Sequence, residues 1–488
     1  MSAAPAGALA GLLDRACRQF ADRVALVDRH GSLTYDDLAV RAQRVADDLS
    51  GAKAAEDEPV IVIVGNRSED FAAFLGVWRA GGVAVPVHRG APAAVLSGLI
   101  ERSGARFVVD CGPETAAAVR CVAHAAPEAR EVLRGAAFVI FTSGSTGLPK
   151  GAVISHGALA GKLAANDSYL HFAPGTRTLL TLQITFSFGI WVSLLTLTTG
   201  GTLVMQEKFD AAGVLEAIAA QRIDRVAFVP TMLRALLALA ERDPGVAGRG
   251  AGQLRQVMTG GEPLGALLCR QVRAFFPDTN LIDIFGLTET ATSDFVLQGA
   301  DLDAYAGCIG RAAPGVEFRI AGEGGQPVAA GDTGELQIRT PYTMNGYLDT
   351  PELTRAAYAD GYFRTGDLAR ERAPGVVELV GRAKEIISRG GNKVAPLEVE
   401  QALLQHPAVA EALVTGVPDA QLGERIHALV VARPGSQPSA EGLRAWAATR
   451  MEKYKLPDVW HFGTQLPLGR TGKVDRGSLR EMIEEGRK

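Results

Sequence analysis

Apolar positions along the chain alternate between two spacings. A solid β-branched run from Val60 to Val64 is followed by Asn66 to Ser68, then by Phe71, Phe74, Leu75 and Trp78 at helical spacing, then by Gly81-Gly82 and a second apolar run at Val83 to Val87. The runs predict strands and the spaced positions one face of a helix, so the stretch reads as a β-α-β unit. The alternation returns as a strand at Val226 to Val229, a helix over Met232 to Leu239, a strand at Leu254 to Met258, a helix over Pro263 to Phe275 and a strand at Leu281 to Phe285. Strands separated by helices of this length form parallel sheets covered by helices.

Between about Gly310 and Val380 the pattern changes to short strands broken by Gly, Pro and Asp, as in Val316 to Ile320 and Gly334 to Arg339. That spacing predicts an antiparallel or β-barrel-like subdomain. After Gly381-Arg382-Ala383-Lys384 the pattern changes again. A helix over Leu397 to Leu404, strands at Ala412 to Val417 and Ile426 to Val431, and a helix over Ala440 to Met451 form an α+β unit of ordinary domain size. The expected fold class is therefore α/β. A large N-terminal domain of parallel α/β sheets plus the barrel-like subdomain, residues 1–382, is followed by a small C-terminal α+β domain, residues 383–488.

Bulk composition narrows the partners. A chain of 488 residues exceeds the size at which one hydrophobic core keeps growing, and its 47% hydrophobic content can fill two or more. Fifty basic against 54 acidic residues leave a formal charge of −4, with no net field to attract nucleic acid or an anionic membrane. Cys17, Cys111, Cys121, Cys269 and Cys308 lie far apart without a C-x-x-C, which argues against disulfides and zinc and for a reducing, cytoplasmic setting. Leu9, Leu12, Leu13, Ala16 and Phe20 predict an amphipathic surface helix, and no stretch reaches the roughly 18 apolar residues of a spanning helix. The eight histidines show no ligand spacing.

Candidate chemistry lies in five segments. Phe141-Thr142-Ser143-Gly144-Ser145-Thr146-Gly147-Leu148-Pro149-Lys150-Gly151 follows an apolar strand. Its glycines let the backbone close around an anion, and its hydroxyls and N–H groups can donate to phosphate oxygens. No Gly-Lys-Ser/Thr follows, so it is not a Walker A loop, nor is it a nucleophile elbow. Asp283-Ile284-Phe285-Gly286-Leu287-Thr288-Glu289-Thr290 puts a hydroxyl and a carboxylate just beyond a strand, where ligands sit in open α/β sheets. Thr288 there can hold a phosphate and Glu289 a Mg²⁺ ion; a helix N-terminal turn with a dipole-favoured Glu would read the same way.

Gly361 to Leu368 places Asp367 after a glycine, suited to ribose hydroxyls and equally to an ordinary hairpin. The last two segments, Gly381 to Glu398 and Gly469-Arg470-Thr471-Gly472-Lys473-Val474-Asp475, present lysines in glycine-rich turns. Taken alone, such lysines are usually solvated.

In order and spacing the five segments resemble the adenylate-forming superfamily: acyl-CoA and aryl-CoA ligases, adenylation enzymes and firefly-type luciferases. The resemblance covers nearly the whole chain and implies ATP, Mg²⁺ and CoA as cofactors. It implies that Thr142, Ser143, Gly144, Ser145, Thr146, Gly147 and Lys150 close over the β- and γ-phosphates, that Thr288 binds the α-phosphate and that Glu289 ligates the metal. Gly260, Gly261 and Glu262, with Ile284 and Phe285, would flank adenine. Asp367 and Arg382 would hold the ribose. Lys473 would bridge the substrate carboxylate and the α-phosphate, Lys384 would be the hinge about which a mobile small domain turns, and Gly390 and Gly391 would border a pantetheine channel.

Thr185 to Trp191 corresponds to the family's substrate segment. Adenylation enzymes for amino acids carry an Asp where this chain has Ser187, so a hydrophobic acid, aromatic, alicyclic or medium-chain, is expected instead. Phe186, Phe188 and Trp191 are candidates for its pocket, although such a cluster can equally be core. Where CoA ligases often carry a His, this chain has Phe186. CoA is the first acceptor to consider; a carrier protein or an amine is the alternative.

Overall fold

The computed structural model describes residues 8–110, 112, 118–123, 128–142, 149–243, 245, 254–468 and 474–486. Strand Pro59–Val64 is buried along its whole length and pairs in parallel with Val83–His88 on one side and Phe107–Asp110 on the other. A strand covered on both faces needs apolar residues throughout, which is why this run lacks alternation. These strands belong to a seven-stranded sheet whose far side continues through Ala136–Thr142, Lys150–Ser155 and Gly346–Tyr347. A nine-stranded sheet runs from Arg311–Ala312 through Phe295–Leu297, Asn280–Phe285, Gln256–Gly260, Arg225–Phe228, Arg177–Leu180 and Thr202–Met205 to Val24–Asp28 and Gly31–Thr34.

Helices Tyr35–Gly51 and Ser68–Arg79 pack against each other within the largest core. The approach is close: a Cβ on Gly76 would stand 2.6 Å from the carbonyl oxygen of Ala42, so only glycine fits. The aromatic rings of Phe74 and Trp78 meet Phe138 edge-on, each at a centroid distance of 5.1 Å. Such pairs add about 0.5–1.5 kcal/mol beyond the area they bury.

Asn66 ties the two sheets at their carboxyl ends. Held in the left-handed region at φ 58° and fully buried, it donates to the carbonyls of Leu182 and Gln206 and accepts from Ile184 N. The segment that leads into Phe186 is thereby fixed to the end of Pro59–Val64.

The Gly310–Val380 region forms an antiparallel sheet, Glu317–Ala321, Gly334–Arg339, Tyr362–Ala373 and Tyr358–Ala359, with Val376–Arg382 along Tyr362–Ala373. The C-terminal unit has a sheet and cores of its own, built around Ile387, Val399, Val414 and Val430 on one face and Leu413, Leu429 and Leu479 on the other. Its strand Val409–Asp419 lies at the sheet edge, where Val414 N donates to Glu400 and Val414 O accepts from Arg476. The fold is thus the expected mixed α/β architecture, a large N-terminal domain followed by a smaller C-terminal one. Among the described residues no helix is long and apolar enough to cross a membrane.

Candidate nucleotide and acid site

Strand Ala136–Thr142 runs parallel to Val83–His88 and then turns back antiparallel into Lys150–Ser155, with Thr142 opposite Lys150. Thr142 and Lys150 therefore lie at a carboxyl end of the parallel strands, where an open α/β sheet leaves room for ligands. Ser143, Gly144, Ser145, Thr146 and Gly147 lie outside the described residues. Thr142 and Lys150, which bracket them, are both half-buried.

Beyond strand Asn280–Phe285 the chain makes an unusual loop. A Cβ on Gly286 would fall 2.1 Å from Ser293 N, so the loop folds back on a glycine. Thr288, Glu289 and Thr290 form one 3₁₀ turn, and Ala291, Thr292 and Ser293 follow at φ 56°, 70° and 57°. Three successive non-glycine residues in the left-handed region cost about 1 kcal/mol or more each and need external support. Asp294 supplies it. Its fully buried carboxylate accepts from Lys162 Nζ at 2.7 Å, from Leu287 N at 3.4 Å and from the Thr290 hydroxyl. Ser293 O accepts from Lys162 Nζ and Asn166 Nδ2, and the Ser293 hydroxyl meets Tyr169 Oη at 2.8 Å. Glu289 is held from the other side: Met344 N donates to its carbonyl and Tyr347 Oη to its Oε1, each at 2.7 Å.

Three further elements converge on this loop. Gly260 ends strand Gln256–Gly260 in register with Ile284, so close that a Cβ on Gly260 would lie 2.4 Å from Ile284 O and 3.6 Å from the Phe188 ring. Phe186 is the N-cap of helix Ser187–Thr198, and Ser187 Oγ stands 3.1 Å from Thr288 Oγ1. Asp367 lies in register with Arg382 across Tyr362–Ala373 and Val376–Arg382, its Oδ1 3.0 Å from the guanidinium. The second oxygen, Oδ2, is buried and has no hydrogen-bond partner among the described residues. Burial pushes this carboxyl up to about 6; Arg382 pulls it down, and Glu289 is close enough to push it further up.

A buried carboxylate oxygen left without a donor is costly, and it marks a place where a ligand hydroxyl fits. Residues 13–348 match the AMP-binding enzyme family and residues 398–473 the AMP-binding enzyme C-terminal domain. The chain belongs to the AMP-binding enzyme family.

This AMP-binding enzyme is 31% identical to a feruloyl-CoA synthase of an Amycolatopsis species, over 93% of its own length and 94% of that protein. It is also 31% identical to a fatty acid–[acyl-carrier-protein] ligase, ScoC, of Streptomyces coeruleorubidus, over 92% and 91% of the two chains. The ATP-bound crystal structure of MatB from Rhodopseudomonas palustris superposes with a TM-score of 0.87 at 27% identity, covering 98% of this chain and all of that one. The protein is thus an AMP-forming ligase of the adenylate-forming kind that its five segments implied.

The remaining expected positions of this AMP-binding enzyme divide into two groups. Gly261, at φ 85°, and Glu262 follow Gly260, and Glu262 Oε1 accepts from Val474 N at 3.3 Å. Lys473 lies outside the described residues; Val474 is the first described residue after it. Ile284 is buried and Phe285 packs on Phe295 with centroids 6.0 Å apart. Phe186 and Phe188 are half-buried beside Ser187, whereas Trp191 is fully buried and its indole donates to Asn166 Oδ1 at 3.1 Å. Trp191 is thus part of the core behind the pocket candidates and not an open wall.

Lys384 sits exposed in the 3₁₀ turn Ala383–Glu385. Arg382 before it pairs with Asp367, and Glu385 after it pairs with Arg476 at 3.0 Å. Gly390 and Gly391 make the exposed turn between Ile387–Arg389 and Asn392–Val394, at φ 56° and 82°, both left-handed positions suited to glycine.

Residues of the site that lay outside the sequence expectations include Lys162, Asn166, Tyr169, Ser293, Asp294, Met344 and Tyr347. One signal was present for the first. Lys162 and Asn166 are polar residues one helical turn apart in the largely apolar run His156–Leu170, and a lysine on a buried helix face requires an acid.

Proposed function

We propose that the enzyme converts a hydrophobic carboxylic acid, aromatic, alicyclic or medium-chain, into an acyl adenylate with release of pyrophosphate, and then transfers the acyl group to the thiol of CoA. The observation that carries the nucleotide half is the buried oxygen of Asp367, without a hydrogen-bond partner among the described residues, beside Arg382 and within electrostatic reach of Glu289. On this reading Asp367 and Arg382 hold the ribose hydroxyls, and Gly260, Gly261, Glu262, Ile284 and Phe285 border adenine. Thr288 donates to the α-phosphate, while Thr142 to Gly147 and Lys150 enclose the β- and γ-phosphates. Glu289 holds Mg²⁺, a hard cation that binds one or two carboxylates together with phosphates; when bound it offsets charge on the phosphoryl oxygens.

The first step joins two anions. A carboxylate oxygen attacks the α-phosphorus, the bond to the β-phosphate oxygen breaks, and pyrophosphate leaves with the electron pair. Lys473 supplies the ammonium that offsets the charge gathered there. In the second step the thiol attacks the acyl carbon, AMP leaves, and the thiol proton passes to solvent. Residues 383–488 form the mobile unit, which turns about Lys384 so that Lys473 serves the first step and Gly390 and Gly391 line the thiol channel in the second.

Phe186 and Phe188, beside Ser187 and Gly260, support an apolar acid, with Trp191 behind them. The ScoC likeness, equal in identity to that of the feruloyl-CoA synthase, supports a carrier protein as the second acceptor to test, with an amine third. The free thiols of Cys17, Cys121, Cys269 and Cys308 support a reducing, cytoplasmic setting.

The test is acid-dependent pyrophosphate release over benzoates, phenylpropanoids, alicyclic and straight-chain acids, each with and without CoA. Multiple turnovers that require CoA support the reading; a single CoA-insensitive burst moves the acceptor to a carrier protein or amine. Lys473→Ala is expected to lower acyl-adenylate formation about 10²–10³-fold while sparing thioester formation from supplied acyl adenylate. Equal loss of both steps would overturn the division of labour.

A further inference from the structure

Tyr347 stands where the proposed phosphate and metal elements meet. Its two-residue strand, Gly346–Tyr347, pairs antiparallel with Val153 and Ala152, so Tyr347 is fixed to the strand that begins at Lys150. Its hydroxyl donates to Glu289 Oε1 at 2.7 Å, and Lys150 Nζ lies 5.4 Å from the centroid of its ring. Met344, three residues earlier, holds the Glu289 backbone. The one phenol thus meets both groups, Lys150 over its face and Glu289 at its hydroxyl.

That arrangement solves a difficulty built into any site that needs a cation for phosphate and a carboxylate for a metal side by side. Opposite charges brought close near a protein surface attract strongly enough to collapse into a pair that serves neither ligand. A tyrosine in contact with both gives each charge a weaker partner: the ammonium has the negative face of the π system, and one carboxylate oxygen has a hydroxyl. A phenol is protonated at neutral pH, so this hydroxyl is a donor to the carboxylate. The aromatic residue must therefore carry both a face and an O–H, which of the aromatic types suits tyrosine.

We propose that Tyr347 is a positioning residue of the adenylation step, aiming the Glu289 carboxylate by its hydroxyl and keeping Lys150 and Glu289 from neutralising each other by its ring. This rests on the proposed roles of Lys150 and Glu289. The experiment is calorimetric ATP binding to the full-length chain, with Mg²⁺ and again in EDTA, for the wild type, Tyr347→Phe, Tyr347→Leu and Tyr347→Leu combined with Glu289→Gln. The Mg²⁺ dependence of pyrophosphate release and Tm are measured alongside.

Tyr347→Phe keeps the buried ring. It is expected to raise the Mg²⁺ concentration for half-maximal release about tenfold, equivalent to about 1.4 kcal/mol, and to leave ATP affinity in EDTA unchanged. Tyr347→Leu removes the spacer and is expected to weaken ATP binding in EDTA as well, because Glu289 captures Lys150; neutralising Glu289 in the double variant restores it. A Tyr347→Phe enzyme with wild-type Mg²⁺ dependence, or a Tyr347→Leu defect in EDTA that Glu289→Gln does not relieve, overturns the proposal. Wild-type ATP binding that is indifferent to Mg²⁺ would overturn the role given to Glu289 and the proposal with it.

Discussion

The loop Phe285–Asp294 and the segment Arg382–Gly391 contribute to one proposed reaction and are built in opposite ways. In the first, Asp294 binds Lys162, Leu287 and Thr290, Ser293 binds Asn166 and Tyr169, and Glu289 is held by Met344 and Tyr347, so both sides of the turn that presents Thr288 and Glu289 are tied to buried groups. In the second, Lys384, Gly390 and Gly391 are exposed, and the chain passes from the Asp367–Arg382 pair to the Glu385–Arg476 pair through Ala383 and Lys384 alone. Groups that meet developing charge gain from being fixed in advance. Groups that serve two different steps gain from a short pivot between firm anchors. The difference in construction follows the proposed difference in duty.

Breaking the fixed half should have the largest effect. Lys162→Met leaves the Asp294 charge buried without its partner and is expected to cost about 3–5 kcal/mol of stability, read as a shift in the urea midpoint. Adding Asp294→Asn should recover part of it, and a Lys162→Met chain as stable as wild type would mean that the pair does not hold the loop. The pivot is probed next. Lys384→Pro should leave acyl-adenylate formation within about twofold and slow transfer roughly 10²-fold, so that acyl-AMP accumulates in single-turnover mixtures; normal transfer would argue against rotation there.

The effect confined to one range of pH concerns Asp283, on the strand that leads into the fixed loop. Burial pushes its carboxyl up to about 8 from an ordinary 3.8. A carboxyl whose folded pKa is raised stabilises the fold fully below the unfolded value and loses that contribution as pH rises through the folded one. Thermal stability should therefore fall between about pH 4 and pH 8 on account of this residue. Asp283→Asn should flatten that slope and raise Tm at about pH 8.5 relative to wild type, with a smaller change at about pH 5.

The alternation of apolar runs and helical spacing placed the strands and helices in order, because burial on two faces or one leaves a local signature. Strand Gly334–Arg339 appears where the pattern put it, whereas the strand expected at Leu254 to Met258 runs from Gln256 to Gly260. The shift arises because Gly260, which reads as a turn, is held in the ladder opposite Ile284. The motif residues stood out because glycines and hydroxyls cluster around phosphates. The residues that support the motifs did not, since their partners are far along the chain: Lys162 lies 132 positions from Asp294 and Tyr347 58 from Glu289. Trp191 had the composition of a pocket residue, and its full burial together with its hydrogen bond to Asn166 assigns it to the core.

That hydrogen bond has a consequence for how such an enzyme changes over generations. Trp191 lies on the helix that begins at Phe186 and Ser187, and Asn166 on the helix that steadies the Thr288–Glu289 loop. A smaller residue at 191, the obvious way to admit a bulkier acid, would leave Asn166 Oδ1 without its indole donor and let that disturbance reach Ser293. New substrate range acquired there would arrive together with slower chemistry. Adaptation, natural or in a directed library, has a less encumbered path through Phe186 and Phe188.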